Sequence, residues 1–260
     1  MDTALYPAAP EMAPLQKYRS DFPSQSIETL DTLAAQSPNL AKWRVLAADG
    51  RIVSSYVLIG PRTGAVPIRL GLIGGIRISD FLSTISIAKV LVELDLAPLA
   101  ARDFALFAYP VANPDRAAGT EVDFENSFWK GSSDPVIRFF ERELTTGGFD
   151  GVIVVRGDEP VAGFQIQISS GIIGKEVLWH TLELPQKMVP LASEPIRILR
   201  PTEDARHSFT SFGHLCPGRF SLVIRTPKNA PAENQISAIA FTIKQILLGY
   251  RSLVSQVDRI

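Results

Sequence analysis

Few side chains in this sequence could serve as metal ligands or nucleophiles, and their spacing suits neither role. The three histidines, His180, His207 and His214, are irregularly spaced, and no histidine precedes position 180. The single cysteine, Cys216, has no second thiol for a disulfide, a zinc site or an iron–sulfur site. A small hydrophobic role suits Cys216, and surface or structural roles suit the histidines. Ser79 and Ser127 lack both a Gly-x-Ser-x-Gly elbow and a neighbouring histidine to activate a hydroxyl. The Gly74-Gly75 pair belongs to no complete phosphate-binding glycine pattern, so close packing of a strand end against a loop is its simpler role.

The elements that must position any site follow from hydrophobic periodicity. Residues 1–16 hold three prolines and four alanines without a period, which predicts an irregular arm. Ile27, Leu30, Leu33 and Ala34 have helical spacing, with Ser24 or Ser26 as a cap and Pro38 as a stop. Three strand-like runs come next, Arg44 to Ala48, Ile52 to Ile59 and Ile68 to Ile73, the first two joined by the turn pair Asp49-Gly50. Ser79 to Leu94 shows a broad apolar helix face, and Phe104 to Val111 reads as a strand. A polar loop after Asn113-Pro114-Asp115 leads to a helix over about Asp134 to Leu144, closed by Gly147-Gly148, and then to a buried strand, Val152 to Val155. Residues 157–215 carry short β-like pieces such as Phe164 to Ile168 and no long helical period, which predicts a loop-rich β insertion. The chain ends with a strand, Phe220 to Arg225, and a helix from about Ala232 to Leu253. Alternating strands and helices predict a three-layer α/β/α single domain over residues 17–260, built on a mixed, mainly parallel sheet.

Bulk composition narrows the partners. With 46% hydrophobic and 20% charged residues, the chain can bury one large core. Twenty-six basic and twenty-seven acidic residues leave a net charge of -1, so no overall field draws the protein to nucleic acid or to an anionic membrane. No run reaches the ~20 apolar residues of a membrane span, and the opening residues lack the pattern of a secretory leader. Neither a nucleic-acid nor a membrane partner is expected, and the expected location is the cytoplasm.

The order of landmarks YPVANPD, VDFENSFW, FDGVIVVRG and FSLVIRTP, after an opening helix IETLDTLAAQSPNL and a hairpin WRVLAADGRIVSSYVLIG, resembles the zinc carboxypeptidase family. The family is meant in its broad sense, which includes murein-peptide amidases and the succinylglutamate desuccinylase/aspartoacylase deacylases. The resemblance runs from about Ile27 to the C-terminus. It implies a zinc-carboxypeptidase-like fold and fixes where the family's functional residues would fall.

At those positions this sequence departs from the family. The zinc-binding His-x-x-Glu pair falls on Arg77 and Asp80 in LIGGIRISDFLS, and the third ligand, a histidine, falls on Arg156. A guanidinium has no lone pair to give a cation, and one remaining carboxylate makes a poor site. The general-base glutamate falls on Arg225 in the amidase alignment or on Val223 in the carboxypeptidase alignment. Period-two alternation puts both on one strand face, and neither takes a proton from water. The family's substrate-gripping arginine, in Asp-Leu-Asn-Arg-Asn-Phe, becomes Asn126 in Asp123-Phe124-Glu125-Asn126-Ser127-Phe128.

The resemblance thus implies a pseudoenzyme with no catalytic residue and no cofactor. The alternative is a metal-dependent carboxypeptidase, amidase or deacylase with zinc in a rearranged site using Asp80, Glu125 or the downstream histidines. The implied fold brings Arg77, Arg156 and Arg225 together at the C-terminal edge of the sheet, where their charge needs a counter-charge. That charge is either internal, from Asp80, Glu125, Asp158 or Glu159, or external, a small carboxylate or phosphate ligand. The ligand-binding candidates are therefore Arg77, Asp80, Glu125, Asn126, Arg156 and Arg225.

Overall fold

The computed structural model describes residues 22–48, 50–63, 66–77, 80–114, 131–169, 173–198 and 219–257. Glu125, Asn126, Ser79, Ser127, His207, His214 and Cys216 lie outside the described residues.

Eight strands form one sheet: β1 (Leu40–Ala48), β2 (Arg51–Ile59), β3 (Ile68–Ile73), β4 (Phe104–Tyr109), β5 (Gly151–Glu159), β6 (Phe164–Ile168), β7 (Leu191–Ile198) and β8 (Phe220–Pro227). Their order is β1-β2-β4-β3-β5-β8-β6-β7. The four strands expected at the core are neighbours, β4-β3-β5-β8, and pair parallel throughout. Covered on both faces, they have no need to alternate in polarity, which explains why their sequences read as nearly continuous apolar runs. All six residues of β4 are buried.

The helices are α1 (Phe22–Ala34), α2 (Phe81–Leu96), α3 (Pro135–Thr146), the single turn α4 (Pro185–Met188) and the C-terminal α5 (Ala232–Val257). Alternate strand residues feed two cores, as period-two geometry requires. Leu70, Leu72, Ile153, Val155, Leu222 and Ile224 pack under α1, α2 and α5, through side chains such as Leu30, Leu91 and Ile243. Ile73, Phe107, Tyr109, Val152, Val154 and Val223 face the other way, toward Val136, Ile137, Phe140 and Leu144 of α3. The result is the expected α/β/α layering.

Several boundaries differ from the sequence expectation for local reasons. Asp80 caps α2, its side chain accepting from the Ser83 amide, so this helix starts at Phe81 rather than Ser79. Pro110 follows the end of β4 at Tyr109, short of the expected Val111. Asp134 caps α3, with Pro135 in its first turn. Strand β5 runs on to Glu159, well past Val155. Part of the stretch expected as a loop-rich insertion joins the main sheet, because β6 pairs antiparallel with β8 and parallel with β7.

Gly75, just after β3, has φ +58, and a Cβ there would stand 2.8 Å from the Pro110 carbonyl oxygen. Only glycine fits so close an approach. This tight exit from β3 delivers the chain to Arg77.

Candidate arginine–glutamate site

Chain order reverses direction across the sheet at β3, because β4 lies on one side of it and β5 on the other. In open α/β sheets such a switch point, at the carboxyl ends of the strands, is where ligands bind. Arg77 follows β3, while Arg156 and Arg225 stand near the carboxyl ends of β5 and β8. Arg156 and Arg225 are register partners in the parallel β5–β8 pair, so both project from one face, about 4.8 Å apart along the hydrogen-bonding direction.

Glu159 meets them there because of a bulge. The β5–β8 register runs Arg156↔Arg225 and then Glu159↔Pro227, so Gly157 and Asp158 together oppose Thr226. One extra residue shifts the side-chain alternation, and Glu159 comes to share the face of Arg156. Asp158 takes up the distortion with φ 55, a left-handed backbone uncommon for a residue with a side chain.

Two helices pin this bulge. The Gly157 amide donates to Asp80 Oδ1 at 3.1 Å, and a Cβ at Gly157 would stand 2.5 Å from Leu82 Cβ. The Asp158 amide donates to Gln235 Oε1 at 3.1 Å, which also accepts from the Thr226 hydroxyl at 2.5 Å. Gln235 in turn donates to the Ala230 carbonyl oxygen at 2.8 Å. The Lys228 amide completes the turn by donating to the Glu159 carbonyl oxygen at 2.9 Å.

The Glu159 side chain, only 2% exposed, bridges two guanidinium groups. Arg77 Nη1 donates to its Oε1, and Arg225 Nη2 donates to its Oε2 at 2.6 Å. Arg77 is 47% exposed and Arg225 21%, so both reach from solvent toward a buried acid. Arg156 is buried beside them. Burial pulls its guanidinium down to about 10; Glu159 and, more weakly, Asp80 oppose that shift, and the charges of Arg225 and Arg77 reinforce it. Arg156 still carries its full charge at neutral pH.

Asp80 lends its charge to the buried Arg156, and its side chain has a second task. Its Oδ1 accepts from the Ser83 amide at 3.0 Å and from the Gly157 amide, tying α2 to the β5 bulge. Burial pushes its carboxyl up to about 7; the hydrogen bonds from Ser83 and Gly157 oppose the shift, and the neighbouring charge of Glu159 adds to it. Of the three described acids among those considered from sequence, Asp80, Asp158 and Glu159, it is Glu159 that makes direct ion pairs with Arg77 and Arg225. Asp158 contributes its backbone. Val223, the other candidate base position, is buried in the second core on the face that Arg225 shares. His180 is exposed in the short helical turn Trp179–Leu182.

Sequence reasoning did not single out Gln235. The available signal was Gly157 at the end of an apolar strand, a position that marks a bulge and asks what holds it. No comparable signal marks Gln235, whose partners are backbone groups of distant segments.

No family model matches the chain, and no curated protein matches it in sequence. Solved structures do match. A metallo-carboxypeptidase from Burkholderia cenocepacia superposes with TM-score 0.67 at 18% identity, covering 88% of this chain and 68% of that one. A candidate metallopeptidase from Shewanella denitrificans OS217 gives TM-score 0.65 at 12% identity, covering 86% of this chain and 88% of that one. The metallo-carboxypeptidase from Pseudomonas aeruginosa in complex with (2-guanidinoethylmercapto)succinic acid gives TM-score 0.63 at 13% identity over 85% of this chain and 67% of that one. The chain therefore has the metallo-carboxypeptidase fold. Among the described residues there is no cluster of three or more His, Cys, Asp or Glu side chains that could hold a metal ion. No helix among them is long and apolar enough to cross a membrane.

Proposed function

We propose that this chain uses a metallo-carboxypeptidase fold without its hydrolytic chemistry, and that it binds a small anion, a carboxylate or a phosphate, at the arginine–glutamate cluster. One observation carries the reading: among the described residues, three guanidinium groups gather around Glu159 at the carboxyl ends of β3, β5 and β8. The Glu159 carboxylate already sits between the guanidinium groups of Arg77 and Arg225, and guanidinium forks match the geometry of carboxylate and phosphate oxygens.

The donor set suits an anion better than zinc. Arg77, Arg156 and Arg225 have no lone pair to offer, and their charges repel a dication. Asp80 Oδ1 already accepts two backbone amides, and both Glu159 oxygens already accept guanidinium hydrogens. A zinc-bound water here would also find no base, since the two candidate positions hold Val223 and Arg225.

Inorganic phosphate or acetate should raise the melting temperature of the purified protein beyond what chloride of equal ionic strength does, through preferential binding to the folded state. Elemental analysis should find no stoichiometric zinc, and peptide and N-acyl amino acid substrates should not turn over. Chelator-sensitive hydrolysis by clean protein, or equal responses to phosphate, acetate and chloride, would overturn this reading.

A further inference from the structure

The anion site already contains an anion supplied by the chain. Glu159 occupies one hydrogen-bonding edge of Arg77 through Oε1 and one of Arg225 through Oε2. It is not a side chain that happened to drift there. A bulge turns it onto the arginine face, and that bulge is held by Asp80 from α2 and by Gln235 from α5. The non-glycine φ of 55 at Asp158 is the cost of that placement, a local strain that persists because its surroundings over-determine it.

We infer that Glu159 is a built-in competitor for the anion site, set by the Gly157–Asp158 bulge, and that it determines how tightly the arginine cluster holds an external anion. The inference rests on the anion-binding reading above. Its physical basis is that one guanidinium edge cannot serve two carboxylate-like partners at once, and that the Glu159 charge opposes any second anion placed a few ångströms away. Arg77 is the arm best placed to exchange partners. It is half exposed and lies just beyond the end of β3, whereas Arg156 and Arg225 are fixed in paired strands.

Glu159→Gln removes the competing charge while keeping the shape of the side chain. Isothermal titration with inorganic phosphate should show the variant binding about tenfold tighter or more, with a larger phosphate-dependent rise in melting temperature than the wild-type protein shows. Binding by the variant but not by the wild-type protein would overturn the reading that the native chain binds an anion, and with it the claim that Glu159 tunes such binding. If the wild-type protein binds phosphate and the variant binds it equally or more weakly, Glu159 is not a competitor and the inference falls while the anion-binding reading stands. If neither protein responds to phosphate or to acetate, both fall together.

Should Glu159→Gln fail to fold, hydrogen exchange on the wild-type protein decides the matter. Competition requires phosphate to loosen the Glu159 contacts, so the amides of Asp158 and Lys228, both bonded within the bulge, should exchange faster with phosphate present. Unchanged or slower exchange at those amides, with phosphate bound, would overturn the inference.

Discussion

Two buried glutamates among the described residues hold arginines, in different proportions. Glu143 of α3 accepts from Arg44 of β1 and, at 3.0 Å, from the Tyr109 hydroxyl of β4. Burial and the Glu143 charge together push the Tyr109 phenol up, so it stays a donor at any ordinary pH. Each oxygen of Glu143 serves one partner, and the group ties the edge strand and α3 to a central strand. Arg69 nearby stacks over Phe107, its Cζ 4.6 Å from the ring centroid, in a contact that does not depend on an acid. At the other centre, Glu159 bridges two guanidinium groups with a third beside them. The first group fastens an edge strand and a helix to the middle of the sheet, whereas the second gathers guanidinium groups from three strand ends around one carboxylate, with Arg77 half exposed.

The comparison breaks most decisively at Glu159. Glu159→Ala removes the carboxylate that bridges Arg77 and Arg225 beside buried Arg156, and should destabilise the protein by about 3–5 kcal/mol in urea unfolding. Phosphate should restore part of that loss. A variant that melts like the wild-type protein would mean that the arginines rely on other partners.

The next effect is on pH. Burial holds the Asp80 carboxyl at about 7, above the ordinary 3.8, so the folded protein keeps a proton that the unfolded chain gives up at lower pH. The stability contributed by this proton is complete below about pH 4 and is lost as pH rises through about 7, by an amount on the order of a few kcal/mol. Asp80→Asn keeps an oxygen for the Ser83 and Gly157 amides and cannot ionise, so this component of the slope should vanish in chemical unfolding curves taken between pH 4 and 8. A wild-type slope that persists in the variant would assign it to another group.

Glu143→Ala should cost about 1–3 kcal/mol, because it leaves the Tyr109 hydroxyl buried without its acceptor while half-exposed Arg44 turns to water. Phosphate should not rescue this variant, and that contrast with Glu159→Ala is the sharpest test of the difference between the two centres. Rescue of both alike would erase it.

The smallest effect belongs to the bulge. Asp158→Gly relieves a left-handed backbone at a position whose amide, not its side chain, makes the bond to Gln235, and should stabilise the fold by about 0.5–1 kcal/mol. Destabilisation would show that the Asp158 carboxylate contributes to the cluster in its own right.

Much of this architecture was legible in the residues themselves. Long apolar runs such as Gly151 to Val155 are parallel core strands, because a strand covered on both faces has no polar side to display. Helical spacing on α2 and α5 is equally local, and the landmark order gave the fold and the positions of Arg77, Arg156 and Arg225. The partner that those arginines meet was not decided locally. Simple alternation from Arg156 puts Asp158, not Glu159, on the arginine face, and only the bulge reverses this. The bulge exists because Asp80 and Gln235, each 77 residues from its partner in the chain, receive the two amides that it frees. Residue types and their periods act within a turn or a strand and so are written in the sequence. Hydrogen bonds across such distances depend on where the helices come to rest on the sheet, and that is settled only when the chain is folded.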